Sequence, residues 1–208
     1  MDRIVTTALQ IVDDEGAAAL SMRALAQRLD SGTATLYRHF ASRAEVIAQV
    51  VDRVFGAVEF DDAELGAMTW QQACKAAACT MFDALRRHRN VAPLLAEDVP
   101  IGPHAMAVRE RMIAVLLDNG FPPPLAARSY ATLARYVLGF AIQLSTAGDL
   151  DDARLSGVFH ALDSQLFPAT VAVAGSLPVP LDEEFAFGLD LIVEGLTQLL
   201  RRELNEKH

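Results

Sequence analysis

Apolar residues return every three or four positions along almost the whole chain, and this periodicity constrains the fold more than any other feature. Ile4, Ala8, Ile11 and Val12 make one stripe; Val46, Ile47, Val50 and Val54 make another. Val and Ile follow the 3.6-residue spacing of a helix here, not the strict alternation of a half-buried strand. A chain so patterned packs helix on helix, and the expected class is all-α. Local signals divide it. Gly16 ends a helix running from about Asp2 to Glu15. Ser21 opens a second, with Leu25, Ala26 and Leu29 inward, and Asp30-Ser31-Gly32 is a tight turn. Ser42-Arg43-Ala44-Glu45 and Thr69-Trp70-Gln71-Gln72 read as capping boxes, in which the hydroxyl accepts from a free N–H and the fourth residue reaches back. The second box starts a helix expected to end near His88. Pro93, Pro100 and Pro103 interrupt the next stretch, and a helix from about His104 to Asp118 stops at Asn119-Gly120. Pro122-Pro123-Pro124 reads as a rigid turn before a long helix to Gly148. A helix over roughly Asp152 to Phe167, a broken loop over 168–181 and a last helix from near Asp182 complete the pattern. Asp61-Asp62 and Gly66 separate a small N-terminal domain, 1–60, from a larger one, 61–208.

The chain has 208 residues, 52% of them hydrophobic, which is ample for a sizeable core. Charges recur too often for a membrane span, and the first residues lack the basic and apolar regions of a signal peptide. A cytoplasmic protein without a membrane partner is expected. Cys74 and Cys79 fit neither a zinc knuckle nor a redox pair and read as small buried hydrophobes. No Gly-rich phosphate loop, nucleophile elbow or metal-ligand spacing occurs, and the five histidines are scattered. No enzyme activity, metal or cofactor is expected.

The stretch "TATLYRHFASR", Thr33 to Arg43, poses the functional question. Leu36 and Phe40 are its only obvious anchors, and the rest is polar or aromatic. A helix, a tight turn and a short second helix form the unit that fits a DNA major groove. Thr33 and Thr35 can donate to phosphate and set methyls against thymine. Tyr37 and His39 project from the same side, and Arg38 and Arg43 supply charge. Ser21 and the free N–H groups beside it can clasp a phosphate, while Arg23 can reach guanine. Between Gly16 and Arg43 stand four arginines and one acid, a local charge of +3 in a chain of −9, so the remainder carries −12. Segregation of this kind is what an acidic protein with one DNA-binding end requires.

These residues carry a resemblance. "SMRALAQRL", "TLYRHF" and "SRAEVI", ungapped from Ser21 to Ile47, make residues 4 to 50 similar to the N-terminal domain of the TetR family of transcriptional regulators. The resemblance implies that Arg23 reads a base, that Ser21, Tyr37 and Arg43 position on phosphate, and that Thr33, Thr35, Arg38 and His39 line the recognition surface. Departures are Asp30-Ser31, where the family often has Gly-Val, and Ala34, where it often has Gly. Arg43 stands where the family typically has lysine.

The larger domain looks like a sensor and a dimer interface. Gly188 and Gly195 lie seven apart, and Ala127, Ala131, Ala134 and Ala141 give the long helix a small-residue side. Such positions let helices approach closely, either within one chain or between two. Symmetric DNA sites favour a homodimer. "TWQQA", His88-Arg89, "DNGF" and "FAFGLDLIVEGL" resemble, more loosely, the C-terminal domain of the tetracycline-repressor subclass. That likeness implies a small-molecule cavity whose occupation tilts the fourth helix. The drug-holding positions of the subclass fall on Glu59 and Ala77, and a metal-binding histidine falls on Arg135, so no magnesium–tetracycline site is expected. For an apolar cleft with a few polar groups, Met81, Phe82, Leu85, Met106, Leu116 and Tyr136 are candidate walls, and His104, Arg135 and Gln143 candidate orienting groups. The expected function is a ligand-responsive regulator, in the form of a repressor released from a palindromic operator by a small apolar molecule. The alternative is a ligand-independent architectural or protein-docking dimer.

Overall fold

The computed structural model describes residues 1–58, 60, 62–97, 99–146 and 152–205, and among them every regular element is helical. The first four are α1 (Asp2–Glu15), α2 (Met22–Arg28), α3 (Thr33–Tyr37) and α4 (Arg43–Gly56). They close on the stripes expected from sequence. Ile11 and Val12 of α1, Leu25 of α2, Leu36 and Phe40 at α3, and Val50 of α4 are all buried in one core. Each helix covers the others' apolar side and leaves its polar side to solvent, which is why so short a unit can fold.

The turns are held by identifiable bonds. Ser21 Oγ accepts from the Ala24 N–H at 3.0 Å and caps α2. At the other end, Ser31 N–H donates to the Ala26 carbonyl at 3.0 Å and Asp30 N–H to that of Gln27 at 3.2 Å. This closure requires a left-handed residue, and Asp30 supplies it at φ 50° where glycine is usual. The departure at Asp30 is therefore accommodated by backbone strain that aspartate tolerates better than most residues. Ser42 Oγ accepts from Glu45 N–H at 3.3 Å, while the Glu45 carboxylate reaches the Ala41 N–H at 2.6 Å, one residue beyond the expected target. The Thr69 box closes in both directions, at 3.3 and 2.9 Å.

The remaining elements are α5 (Asp62–Ala67), α6 (Trp70–Arg87), α7 (Ala92–Glu97), α8 (Pro103–Asp118), α9 (Pro123–Thr146), α10 (Asp152–His160), α11 (Pro168–Ala172) and α12 (Leu181–Asn205). Helices α6, α8, α9 and α12 share a core. Trp70 at the start of α6 meets Phe121 at the α8–α9 corner edge-on, with ring centroids 4.8 Å apart. Gly120 makes that corner at φ 86°, and Phe121 N–H returns to the Leu116 carbonyl at 3.2 Å.

Several expectations are corrected. Pro123 and Pro124 begin α9 instead of forming a turn, because first-turn residues need no intrahelical donor. Likewise Pro93 lies inside α7 and Pro103 opens α8. Helix α10 ends at His160, not Phe167. There the Asp163 carboxylate takes the Gln165 N–H at 2.7 Å and its carbonyl takes that of Phe167 at 2.8 Å, a local closure that competes with helix. The expected loop over 168–181 contains α11 and a short 3-10 turn, Ala174–Ser176. Gly148 and Glu59 lie outside the described residues. No helix among the described residues is long and apolar enough to cross a membrane.

Candidate nucleic-acid interface and the domain behind it

Helix α3 has five residues, too few to be stable alone. Leu36 and Phe40, each 1% exposed, hold it against the head core. With those two inward, Thr33, Thr35, Tyr37, Arg38 and His39 face solvent, and Tyr37 is 55% exposed. Such exposure of a phenol ring beside a buried leucine leaves a surface shaped for contact. Ser21 and Arg23, at the start of α2, are exposed as well. Arg28 is held by Glu15 across the α1–α2 corner. Arg23 and Arg38 have no ion-pair partner among the described residues, so their charge is available to an anion.

Arg43 is placed differently from its seven companions. It is half-buried, and its guanidinium donates from Nε to the Leu20 carbonyl at 2.5 Å and from Nη2 to that of Ala17 at 3.0 Å. These carbonyls belong to the connection between α1 and α2. In this structure Arg43 ties α4 to the base of the reading unit, so much of its hydrogen-bonding capacity is already used by the fold.

The nine residues expected around a ligand cleft divide between core and surface. Phe82, Leu85 and Leu116 are buried, Met81 and Tyr136 partly so, whereas His104, Met106, Arg135 and Gln143 are exposed. The interior instead holds an aromatic cluster. Phe82 stacks on Phe185 at 4.2 Å, and Tyr136 lies 5.4 Å from Phe185 and 4.9 Å from Phe140. Tyr136 Oη donates to the Phe185 carbonyl at 2.7 Å. Burial pushes the Tyr136 phenol up in pKa, and the Glu184 charge adds to the shift. The Arg86 guanidinium sits over the Phe82 ring at 5.0 Å. Phe140 and Phe185 were not singled out in the sequence; both lie in helices so apolar that phase alone does not choose the inner residues. A separate cleft of about 320 Å³ opens between α5 and α8, beside Leu65, Met68, Arg111 and Val115. None of the nine lines it. His104 belongs to another place altogether, the joint between α4 and α8, where its Nδ1 lies 2.8 Å from Asp52.

The small residues expected at a dimer interface also divide. Ala127, Ala134 and Gly195 are exposed and Ala131 half-buried. Ala141 and Gly188 face inward instead. Ala141 is fully buried within the chain. A Cβ on Gly188 would overlap the Tyr136 hydroxyl, so this glycine serves the contact of α12 with α9. Gly195 lies on an outward row with Phe187, Leu191 and Leu199, each four residues from the next; Phe187 is 67% exposed and Leu191 58%. This row of large apolar side chains was missed in the sequence. "FAFGLDLIVEGLTQLL" is apolar on nearly every side, which hides the outward phase.

Comparison with known proteins bears on both halves. A family model described as "Bacterial regulatory proteins, tetR family" matches residues 4–50. A second, described as "Tetracyclin repressor-like, C-terminal domain", matches residues 62–200. The HTH-type transcriptional repressor DrrR1 of Streptomyces coeruleorubidus is 29% identical, over 99% of this chain and 80% of its own. The class E tetracycline repressor protein of Escherichia coli is 24% identical, over 96% and 92%. Apo ActR from Streptomyces coelicolor superposes with a TM-score of 0.87 and 34% identity, covering 97% of this chain and 96% of its own. ActR in complex with actinorhodin superposes at 0.85, with 34% identity over 96% and 97%.

Proposed function

The chain belongs to the TetR family of bacterial regulatory proteins, and on that premise we propose how its own residues perform the family's task. It is a ligand-responsive, DNA-binding transcriptional regulator. One observation carries the residue assignment: the outward face of Thr33, Thr35, Tyr37, Arg38 and His39 over the buried pair Leu36 and Phe40. A polar surface on a helix too short to stand alone, held rigid by two anchors, fits the major groove and its phosphate rims. Arg23 reads a base from the start of α2. Ser21 and Tyr37 set the register on phosphate. Arg43 holds the unit together from behind and reaches phosphate only with the donors its carbonyl contacts leave free.

Two copies joined along the outward row of α12 would present two heads to a palindromic operator. DrrR1 is named a repressor, and repression is the reading assigned to this chain. A small, largely apolar molecule taken up by the C-terminal helices then favours a conformer whose heads mismatch the half-site spacing. Only a difference in affinity between conformers can do this, typically about 1–3 kcal/mol. The ActR complex with actinorhodin supports a small-molecule effector. Its relatives are regulators, a role without catalysis, and we assign this chain no enzymatic step. Its place is where bacterial DNA is, in the cytoplasm. Residues 1–60 act as the head and 61–208 as the sensor.

Selection of bound fragments from genomic DNA at near-physiological salt tests the reading. A palindromic consensus is the expected result. Enrichment of no sequence, with binding that collapses steeply as salt rises, would show a patch that holds only phosphate and would overturn the assignment.

A further inference from the structure

The joint between α4 and α8 contains a carboxylate with an unusual job. Asp52, on α4, is 5% exposed. A buried carboxylate must be matched by donors, and Asp52 has three. Its Oδ1 accepts from the backbone N–H groups of His104 and Ala105, each at 3.0 Å, and its Oδ2 lies 2.8 Å from His104 Nδ1. Those two amides belong to the first turn of α8, which has no intrahelical acceptor for them. A helix normally satisfies them with its own N-cap side chain. Here the N-cap is Gly102, which has none. The cap of α8 therefore comes from a different helix, in the half of the molecule that reads DNA.

Two glycines make room for this arrangement. A Cβ on Gly102 would overlap the Asp52 carboxylate, and one on Gly56 would lie 3.2 Å from the His104 ring. A serine at position 102 would have capped α8 locally, at no need for a neighbour. The far end of α8 reaches the interior, where Leu116 is buried and Phe121 meets Trp70. One rigid helix thus runs from the sensor core to the back of the head, and its first turn is completed by the head.

We propose that Asp52 is a positioning residue for operator recognition: it caps α8 across the boundary between the two halves, so that a change in the angle of the head changes that cap. His104 steers the carboxylate through its ring nitrogen. The inference rests on the DNA-reading function proposed for this chain and names one contact through which the sensor holds the head, beside those of His88 and Asn90 with Asp13.

Linkage is reciprocal, so operator DNA itself serves as the probe. The duplex recovered by selection is first titrated against the full chain by fluorescence anisotropy. A chain that binds no duplex overturns the DNA-reading function and this proposal with it. With binding in hand, hydrogen exchange is followed at residues 104–106, with and without saturating duplex. In the unaltered protein, DNA is expected to change exchange there at least severalfold. Asp52→Ala should raise exchange about tenfold, as loss of a cap does, whether or not DNA is present. The decisive variant is Asp52→Ala combined with Gly102→Ser. It gives α8 a cap of its own, in the space the carboxylate leaves. Slow exchange restored, but without response to DNA, supports the proposal. Exchange that ignores DNA in the unaltered protein, or a double variant that regains the response, overturns it and leaves Asp52 a structural cap alone.

Discussion

Leu36 and Tyr37 are neighbours on opposite faces, one buried and one exposed, and substituting each separates the fold from the function proposed for the head. Leu36→Ala removes a fully buried side chain and should cost about 2–4 kcal/mol in denaturant unfolding. Tyr37→Ala, at an exposed position, should leave stability within about 0.5 kcal/mol. Operator affinity measured by anisotropy should fall at least tenfold for Tyr37→Ala, with the oligomeric state unchanged in sedimentation. A large unfolding cost at Tyr37 would mean the ring serves packing and not contact. The two cysteines give a second contrast. Burial pushes the Cys74 thiol up to about 12, leaving almost no thiolate near neutrality. Cys79 is exposed, though partial burial, Asp83 and Asp190 raise it as well. Ellman's reagent at pH 8 should therefore titrate one thiol in the native protein and two in denaturant. Two fast thiols in the native state would show that Cys74 is not sealed. At this scale the outward residues of the head were legible because Leu36 and Phe40 fix the phase of a short helix, and every polar neighbour then points outward. The interior aromatic cluster was legible only in part: Tyr136 and Phe82 were singled out, but their partners Phe140 and Phe185 lie in helices apolar on several sides. His104 and Asp52, joined across the fold, share no local pattern at all.

Turns and helix ends decide the elements, and Asp30 is the strained one. Its φ of 50° costs a non-glycine residue about 1–2 kcal/mol against a right-handed conformation. Asp30→Gly should relieve part of that, raising stability by about 0.5–1 kcal/mol once the added flexibility of the unfolded chain is counted. It also removes the one acid between Gly16 and Arg43, so operator affinity should rise, more at low salt than at high. Lower stability in thermal melts would show that the aspartate side chain does more than fill the turn. In the larger half, Arg86 on α6 holds Asp182 on α12, with one of the two parallel contacts at 2.9 Å. The hydrogen bond from Arg86 lowers the Asp182 carboxyl below its ordinary value. A depressed carboxylate stabilises the fold above its unfolded pKa, and the gain is lost as pH falls through the folded one. Both side chains are well exposed, so Asp182→Asn should cost less than about 1 kcal/mol at pH 7, and that cost should fade as pH falls through the depressed pKa of the folded carboxyl. An undiminished effect in acid would assign it to packing. Element existence followed from periodicity and caps. Boundaries failed where a side chain offers the backbone another partner, as Asp163 does beyond α10, or where proline is harmless, as in the first turn of α9.

The whole molecule is constrained by what α12 leaves uncovered. Phe187, Leu191 and Leu199, with Gly195 among them, repeat every four residues on the outward face of a 25-residue helix. A row of large apolar groups along such a length is what the proposed pairing of two copies would cover. Gly195 permits close approach at its centre, whereas Gly188, seven residues earlier, is already used against Tyr136 within the chain. A helical turn repeats every 3.6 residues, so a seven-residue spacing drifts by about 20° on a straight helix, and the two glycines need not share a task. Leu191→Arg places a charge in the middle of this seam, where a two-fold arrangement would set it against its own copy. The expected outcome is a folded monomer in analytical ultracentrifugation, with a thermal midpoint within a few degrees of the unaltered chain. Its operator affinity should fall by at least a hundredfold, because each half-site is then held by one head alone. The same substitution should barely change binding to a half-site duplex, which needs only one head. A variant that remains dimeric would move the interface off α12. A monomer that keeps full operator affinity would show that one head suffices, and the palindromic reading would fall.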